Sequence, residues 1–427
     1  MTTAFTNARL LDPASGLDAL GTIVVHGETI TALGANVAVP AGADIVDCKG
    51  ACLAPGLVDL RVTIGEPGFE EKETIASASR AAAAGGVTAM AMLPNTDPVI
   101  DDVAGLEFVA RRAREVKQVK MFAYGAATRD CAGNELADLG LLAEAGAVAF
   151  SDGSRCIADP QLMRRALAYA RPFGRPIVQH AEEPRLAEGG QMNEGEIATR
   201  LGLSGIPACA ESILLARDLR LVELTGGRYH AAHISTAEGV ALLREAKRRG
   251  LHVTADTAPP YFLLTERDIG DWRTFAKLSP PLRNDEDRKA VAAGIADGTI
   301  DAIASDHQPQ PQDWKRLPFA QAAAGAAGLD TLLSLSLALV HDKTMPLLDA
   351  LRRLTQAPAD ILGLKQLGRL AVGGPADLVL FDLDARWTID ADSFRSKSKN
   401  SPFDGYDVRG RVLRTVVDGR TVFRADG

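Results

Sequence analysis

Two histidines and two aspartates close or follow separate apolar runs in this chain. Asp152 closes AVAFSD, His180 closes RPIVQH, His233 follows RYHAA, and Asp306 closes IDAIASD just before His307. Imidazole nitrogens and carboxylate oxygens are the donors zinc takes, and three protein ligands with one open position are the pattern of a hydrolytic zinc. If the four groups converge, the imidazoles of His180 and His233 with one of the carboxylates of Asp152 and Asp306 can hold a metal, and the other carboxylate is left as the general base. His230 stands three residues before His233, an odd spacing that on a strand turns it to the opposite face. It is expected, with His26, His252 and His341, to be structural or solvent-facing. The five cysteines, Cys48, Cys52, Cys131, Cys156 and Cys209, are scattered without a Cys-x-x-Cys pair and are expected to be reduced core residues.

Convergence requires a scaffold that gathers the ends of distant runs. From Gly56 the sequence alternates short apolar runs with longer amphipathic stretches, and eight such runs occur: GLVDLRV, VTAMAML, KMFAYGA, AVAFSD, RPIVQH, RYHAAHIS, HVTADT and IDAIASD. Eight βα units predict a TIM-type (β/α)8 barrel, whose reactive groups sit at the carboxyl ends of the strands. Between runs, Asp159 to Arg171 reads as a helix, with Asp159 as cap, Pro160 in the first turn and Met163, Leu167 and Ala170 on one face. The first fifty residues (AFTNARLLD, TIVVHGETITALG, ADIVDCK) and the stretch after about Gly368 (ADLVLFDL, RVLRTVVDG, RTVFR) read as strands. The expected fold is therefore α/β: a barrel over 54–367 and a small β domain built from both chain ends, 1–53 and 368–427.

Composition supports a globular protein, since 427 residues with 46% apolar and 24% charged can bury a core. A net charge of −8 removes the broad positive field that nucleic-acid binding uses. No apolar run is long enough to span a bilayer, and MTTAF carries no basic segment followed by an apolar stretch. A cytoplasmic protein with neither nucleic-acid nor membrane partner is expected.

The motifs as they stand resemble the dihydroorotase family of the amidohydrolase superfamily, of the class I type. They are PGLVD at 55–59, EPG at 66–68, KET at 72–74, GGVT at 85–88, LPNTDPV at 93–99, FSD at 150–152, HAEE at 180–183, HIST at 233–236, SPPLR at 279–283 and SDHQP at 305–309. GGPADLVLFD and SKSKNSPFDG resemble the family's closing β domain. The resemblance implies a zinc-bearing barrel that opens the cyclic amide of dihydroorotate reversibly to carbamoyl aspartate. It assigns Asp152, His180 and His233 to metal, Asp306 to proton transfer and Asn95 to the substrate carboxylate. It also implies that the stretch from Gln308 to Ala320 covers the substrate.

The pattern breaks where metal and substrate would be touched. In place of the family's Asp-x-His-x-His-x-Arg on the first strand stand Asp59, Arg61, Thr63 and Gly65, so both histidine ligands and the carboxylate-binding arginine are absent. Pro260 replaces a histidine on strand seven, Ser279 an asparagine, and Gln310 a second histidine after strand eight. Arg61 is always protonated and offers no lone pair to a cation. At most one zinc ion is expected, or none. In that case Arg61 would place its guanidinium where the first metal would lie and pair with Asp152 or Asp306, since facing carboxylates without a cation repel.

The expected function is a dihydroorotase homologue of pyrimidine biosynthesis, inactive or severely impaired, acting as a structural partner of aspartate transcarbamoylase. The alternative is an active zinc-dependent cyclic amidohydrolase with a mononuclear site and a small cyclic amide as substrate. Family members are commonly dimers, so a homo-oligomer is expected. The Gln308–Ala320 loop is expected to be disordered if no ligand orders it.

Overall fold

A computed structural model describes residues 1–425. The chain opens with five strands: β1 (Thr2–Asp12), β2 (Leu17–His26), β3 (Thr29–Gly34), β4 (Asp44–Asp47) and β5 (Cys52–Pro55). Six more follow: β6 (Leu57–Val62), β7 (Val87–Met92), β8 (Lys120–Ala123), β9 (Gly125–Ala126), β10 (Phe150–Ser151) and β11 (Ile177–His180). A short pair, β12 (Met192–Asn193) and β13 (Gly205–Ile206), stands apart. The barrel is completed by β14 (Tyr229–Ala232), β15 (Val253–Thr257) and β16 (Ala302–Ile303), and the chain ends on β17 (Leu378–Thr388), β18 (Asp407–Val417) and β19 (Arg420–Arg424).

All eight anticipated runs form barrel strands. β6, β7 and β8 pair in parallel, as do β9, β10, β11, β14, β15 and β16. One residue, Tyr124, separates β8 from β9. Its N–H reaches Met92 O (2.9 Å) and its hydroxyl reaches Leu60 O (2.6 Å), which ties the two arcs across the interior. The ring closes where Thr63 N donates to His307 O (2.8 Å). Below that seam the buried Asp59 Oδ1 accepts from Arg61 N and Ser305 N, both at 3.2 Å. The anticipated helix spans Pro160–Ala170, with the Asp159 carboxylate taking Leu162 N (2.8 Å).

Both chain ends enter one sheet in the order β19-β18-β17-β5-β1-β2-β3, with β4 pairing alongside β1. β5 meets β17 antiparallel, and the polypeptide passes directly from β5 into barrel strand β6, so the sheet is anchored to the barrel at its root. Val379, Phe381 and Val412 from this sheet share one apolar cluster with Ala78, Ala81 and Ala82 of the helix Ile75–Ala84. No helix among the described residues is long and apolar enough to cross a membrane.

Two expectations fail. The stretch from Gln308 to Ala320 is folded around a short helix, Gln312–Lys315, and the Lys315 ammonium is buried among Ala323 O (2.8 Å), Gly325 O (3.1 Å) and Lys277 O (3.3 Å). Lys277 Nζ in turn holds Phe319 O (2.7 Å) and Ala320 O (3.1 Å), so two buried lysine side chains tie the loop to its surroundings. Of the five free cysteines, Cys209 is exposed on the first turn of the helix Cys209–Thr225, and Cys156 is half-buried; the other three are in the core.

Because sheet and barrel share a core, they should lose structure together. Phe381→Ala, at a fully buried position, is expected to cost about 3–5 kcal/mol. Chemical denaturation should show one transition by far-UV and near-UV circular dichroism alike, with both signals shifted equally.

Candidate functional site

The mouth of the barrel is organised by two residues in left-handed backbone conformation, His233 (φ 37°) and Asp306 (φ 47°). Neither is glycine, and such φ values are uncommon for residues with a Cβ. At His233 the conformation is held by its own N–H, which donates to Asp256 Oδ1 (2.8 Å). His233 follows directly on β14 and Asp306 lies three residues past β16, and the left-handed turn at each directs its side chain into the mouth.

Arg61 comes to them from β6. Its Nε donates to Asp306 Oδ1 (2.9 Å) and its Nη2 to Gly153 O (3.3 Å), with the side chain 3% exposed. Asp306 Oδ2 meets His233 Nδ1 at 3.0 Å. Burial alone would raise the Asp306 carboxyl, but the His233 ring and the Arg61 guanidinium outweigh it and hold that carboxyl far below the usual range. Burial, reinforced by the charge of Arg61, pulls His233 down to about 4, so its ring is neutral near pH 7. A neutral ring that gives its Nδ1 proton to Asp306 has a bare Nε2, so the 2.7 Å contact between that atom and His180 Nδ1 has His180 as donor. His180 Nε2 then faces Glu182 Oε2 at 3.7 Å. Burial opposes ionisation of Glu182, yet the neighbouring His180 leaves its carboxyl below the ordinary value.

These residues do not fit a divalent metal as they stand. Among the described residues no three His, Cys, Asp or Glu side chains converge on a point that could hold an ion. Asp152, an expected ligand, instead caps the backbone after β9. Its Oδ1 accepts Thr128 N (2.9 Å) and Ala127 N (3.1 Å), and its Oδ2 accepts the Thr128 hydroxyl (2.6 Å). Burial raises its pKa against those bonds. His180 and His233 are adjacent but spend their nitrogens on each other; two nitrogens each ~2.0–2.1 Å from one zinc in a tetrahedron would stand ~3.3 Å apart. The expected trio is thus not assembled as a ligand set, and Asp152 is not the partner of Arg61.

The other anticipated positions fall around the same mouth. Asn95 packs against Gly153 and leaves its buried Oδ1 without a partner. Thr63 contributes its backbone N–H to ring closure, and Pro260 sits in the first turn of the helix Pro259–Leu263. Ser279 lines a cavity of about 20 Å³ beside Asp306, room for one water. Gln310 Nε2 donates to Ala324 O (2.8 Å) inside the folded loop. Gly65 is no vacancy left by an arginine, since a Cβ there would lie 1.9 Å from Phe69 O and 3.1 Å from Glu73 O.

His230 corrects the spacing argument. It is fully buried in the barrel and bonded through Nε2 to Asp256 Oδ2 and through Nδ1 to the Thr254 hydroxyl, both at 2.8 Å. Because Asp256 also receives the backbone of His233, His230 props the mouth from below. The alternation fails because His233 lies past the end of β14 in a left-handed turn. His26 and His252 are exposed and His341 is half-buried, as expected.

Sequence reasoning passed over Thr128, Glu182, Tyr261 and Arg283. Tyr261 sets its ring edge against His233 (6.4 Å between centroids) and donates to Pro280 O (3.0 Å). Arg283, 3% exposed, reaches Asn193 Oδ1 (3.0 Å) and Ser235 Oγ (3.1 Å) with Nη2 unpartnered. Glu182 and Arg283 stood inside quoted motifs, HAEE and SPPLR, and Tyr261 in the altered strand-seven triplet; nothing marked Thr128.

A parallel barrel with an appended two-ended β sheet, and histidines and carboxylates gathered at its strand ends, defines the amidohydrolase class. Residues 223–423 match the family model described as amidohydrolase family, and residues 50–239 that described as dihydro-orotase-like. Among solved structures, the L-hydantoinase (dihydropyrimidinase) from Arthrobacter aurescens is similar over 100% of this chain and 97% of its own, with TM-score 0.88 and 26% identity. The dihydropyrimidinase from Brevibacillus agri has the same TM-score at 21% identity, which shows the fold alone. Full-length sequence likeness is narrower. The dihydroorotase of Anaplasma phagocytophilum is 46% identical over 100% of this chain and 96% of its own, and that of Pelobacter propionicus is 46% identical with 98% of each covered. The chain belongs to the dihydroorotase family.

Two measurements probe this site. Arg61→Met or Asp306→Asn, each leaving a buried charged group without its partner, is expected to cost about 3–5 kcal/mol, and the double variant less than the sum; additive losses would show that the pair is not coupled. For His233, unfolding frees a ring of pKa 6.5 from one held at about 4. The unfolded chain therefore binds the extra proton, and this contribution is complete above about pH 6.5 and lost as pH falls through about 4. Denaturation midpoints between pH 7 and 4 should fall, and fall less steeply in His233→Asn.

Proposed function

We propose that this chain is a dihydroorotase homologue that no longer catalyses ring opening and serves as a structural partner of aspartate transcarbamoylase, the role some bacterial relatives of this type fill. The observation that carries the reading is the internal commitment of Asp152, His233 and Asp306. Asp152 accepts three hydrogen bonds from Thr128 and Ala127, His233 is bonded to His180 and Asp306, and Asp306 is bonded to Arg61. In this reading Arg61 supplies the positive charge that a metal supplies in active relatives. A guanidinium neutralises Asp306 but can neither polarise an amide carbonyl as a Lewis acid nor generate hydroxide. Asp306, held ionised by two donors, is a poor acceptor for a further proton, which is the task general-base catalysis sets it.

Purified protein is expected to hold well under one equivalent of zinc by elemental analysis and to turn over no dihydroorotate with zinc supplied. Stoichiometric zinc with turnover would establish the mononuclear hydrolase instead. Mixed with the aspartate transcarbamoylase from the same genome, the chain is expected to co-sediment at a defined stoichiometry.

Restoring activity by substitution is expected to fail at Gly65. Gly65→Ala alone should cost about 1–3 kcal/mol because its Cβ overlaps the Phe69 carbonyl. Gly65→Arg should lower the melting temperature further, whatever stands at 61 and 63.

A further inference from the structure

Away from the barrel mouth, two adjoining surface grooves of about 560 and 210 Å³ share Arg395. Arg80, Lys397 and Lys399 line the first, and Arg411 and Arg424 the second. The one carboxylate among the lining residues is Asp330, whose Oδ1 is taken by Arg395 N (2.7 Å). None of these six cations makes an ion pair among the described residues, whereas nearby cations do: Arg409 with Asp384 (2.6 Å) and Lys120 with Asp418 (2.8 Å). The band crosses the seam where the helix Ile75–Ala84, the 393–399 segment and strands β18 and β19 meet.

Composition separates this band from an ordinary solvated surface. Arg424 stands opposite Arg414 across the β18–β19 pair, and on that side Arg411, Arg414 and Arg424 line a neighbouring groove with Asp47, Asp382 and Asp384, whereas the band itself offers them only Asp330. The second groove also carries Trp387, Phe394 and Phe423 beside its arginines. Arginine with aromatic rings is the composition of protein interfaces at their energetic centres.

We propose that this band is a docking surface for the acidic face of a protein partner, with carboxylates meeting Arg395, Arg411 and Arg424 and an apolar side chain meeting Trp387 and Phe423. Arg80, Arg395, Lys397, Arg411 and Arg424 are exposed, while Lys399 is half-buried and donates to Ser396 O (3.1 Å); the exposed cations are spread over two open grooves, so they suit an extended acidic surface and form no cradle for a single small anion. A chain of net charge −8 repels any anionic partner at long range, so attraction here is local, and a protein partner adds the apolar burial against Trp387 and Phe423 that a polyphosphate lacks. The inference rests on the scaffold reading and names the face that the partner covers.

The test uses the full chain, a labelled peptide alternating glutamate with leucine, and the aspartate transcarbamoylase of the same genome. The wild type is expected to bind the peptide with an affinity that falls steeply with salt. The triple variant Arg395→Glu, Arg411→Glu, Arg424→Glu should bind both probes at least ~10-fold more weakly at unchanged melting temperature. The glutamine triple should be intermediate, and it is the deciding variant if the glutamate triple does not fold. Transcarbamoylase bound equally by wild type and triple variant would overturn this surface and leave the scaffold reading intact. Peptide bound through these arginines without transcarbamoylase assembly would support the surface and overturn that partner. Binding neither probe, or binding a single-stranded oligonucleotide more tightly than the peptide, would overturn the proposal.

Discussion

The mouth of this barrel depends on a guanidinium that cannot leave or lose its charge. Arg61 is almost wholly buried, and an isolated buried cation would cost several kcal/mol. The cost is met by Asp306, which the chain turns inward through an unfavourable left-handed residue. Asp306 then fixes the tautomer of His233, whose Nε2 accepts from His180 Nδ1, and His180 Nε2 faces the Glu182 carboxylate at 3.7 Å. On the proposed reading, a covalently attached cation in place of an exchangeable one would make the charge balance of the site independent of metal supply and would leave no open coordination position for hydrolysis.

Glu211 accepts four hydrogen bonds from Ser235 and Thr236, and the Tyr124 hydroxyl spans the interior to Leu60 O. Buried polar atoms without partners occur both around the mouth, at Arg61 Nη1, Asn95 Oδ1, Glu182 Oε1 and Arg283 Nη2, and away from it, at Ser336 Oγ, Gln356 Oε1 and Arg409 Nε. Buried polar groups are normally bonded, so the orphans at the mouth mark a surface shaped for something other than apolar packing. The framework motifs are intact, and the altered residues share the mouth with those orphans.

Much of this was legible in the chain because it is local. Strand runs, the Asp159 cap and the pairing of both ends into one sheet follow from periodicity and turn chemistry within short windows. The absence of metal donors at Arg61 and Thr63, and of an arginine at Gly65, could be read directly from residue types, since an arginine cannot coordinate zinc and a glycine has no side chain. What stayed hidden was long-range or backbone-borne. Thr128 captures Asp152 from a different βα unit, and no spacing rule connects them. His230 turns inward because the strand ends before His233, and alternation holds only within a strand. The folded loop after strand eight was hidden because its order comes from Lys315 and Lys277 finding carbonyl groups brought in by tertiary structure.

His307, next in sequence to Asp306, ties the barrel to the segments around it. Its Nδ1 accepts Gly328 N (3.2 Å), so its proton sits on Nε2 and is directed to Glu73 Oε2 (3.3 Å). Burial would raise the Glu73 carboxyl, but His307 and the Ser396 hydroxyl outweigh it and keep it ionised, and the same carboxylate receives Lys397 N (3.1 Å). One buried acid therefore joins barrel strand eight, the loop before the helix Ile75–Ala84 and the 393–399 segment. None of these bonds involves a metal ligand position or a substrate. The basic band runs over this same junction, so the surface that would meet a partner is held by the part of the fold that the altered mouth leaves untouched.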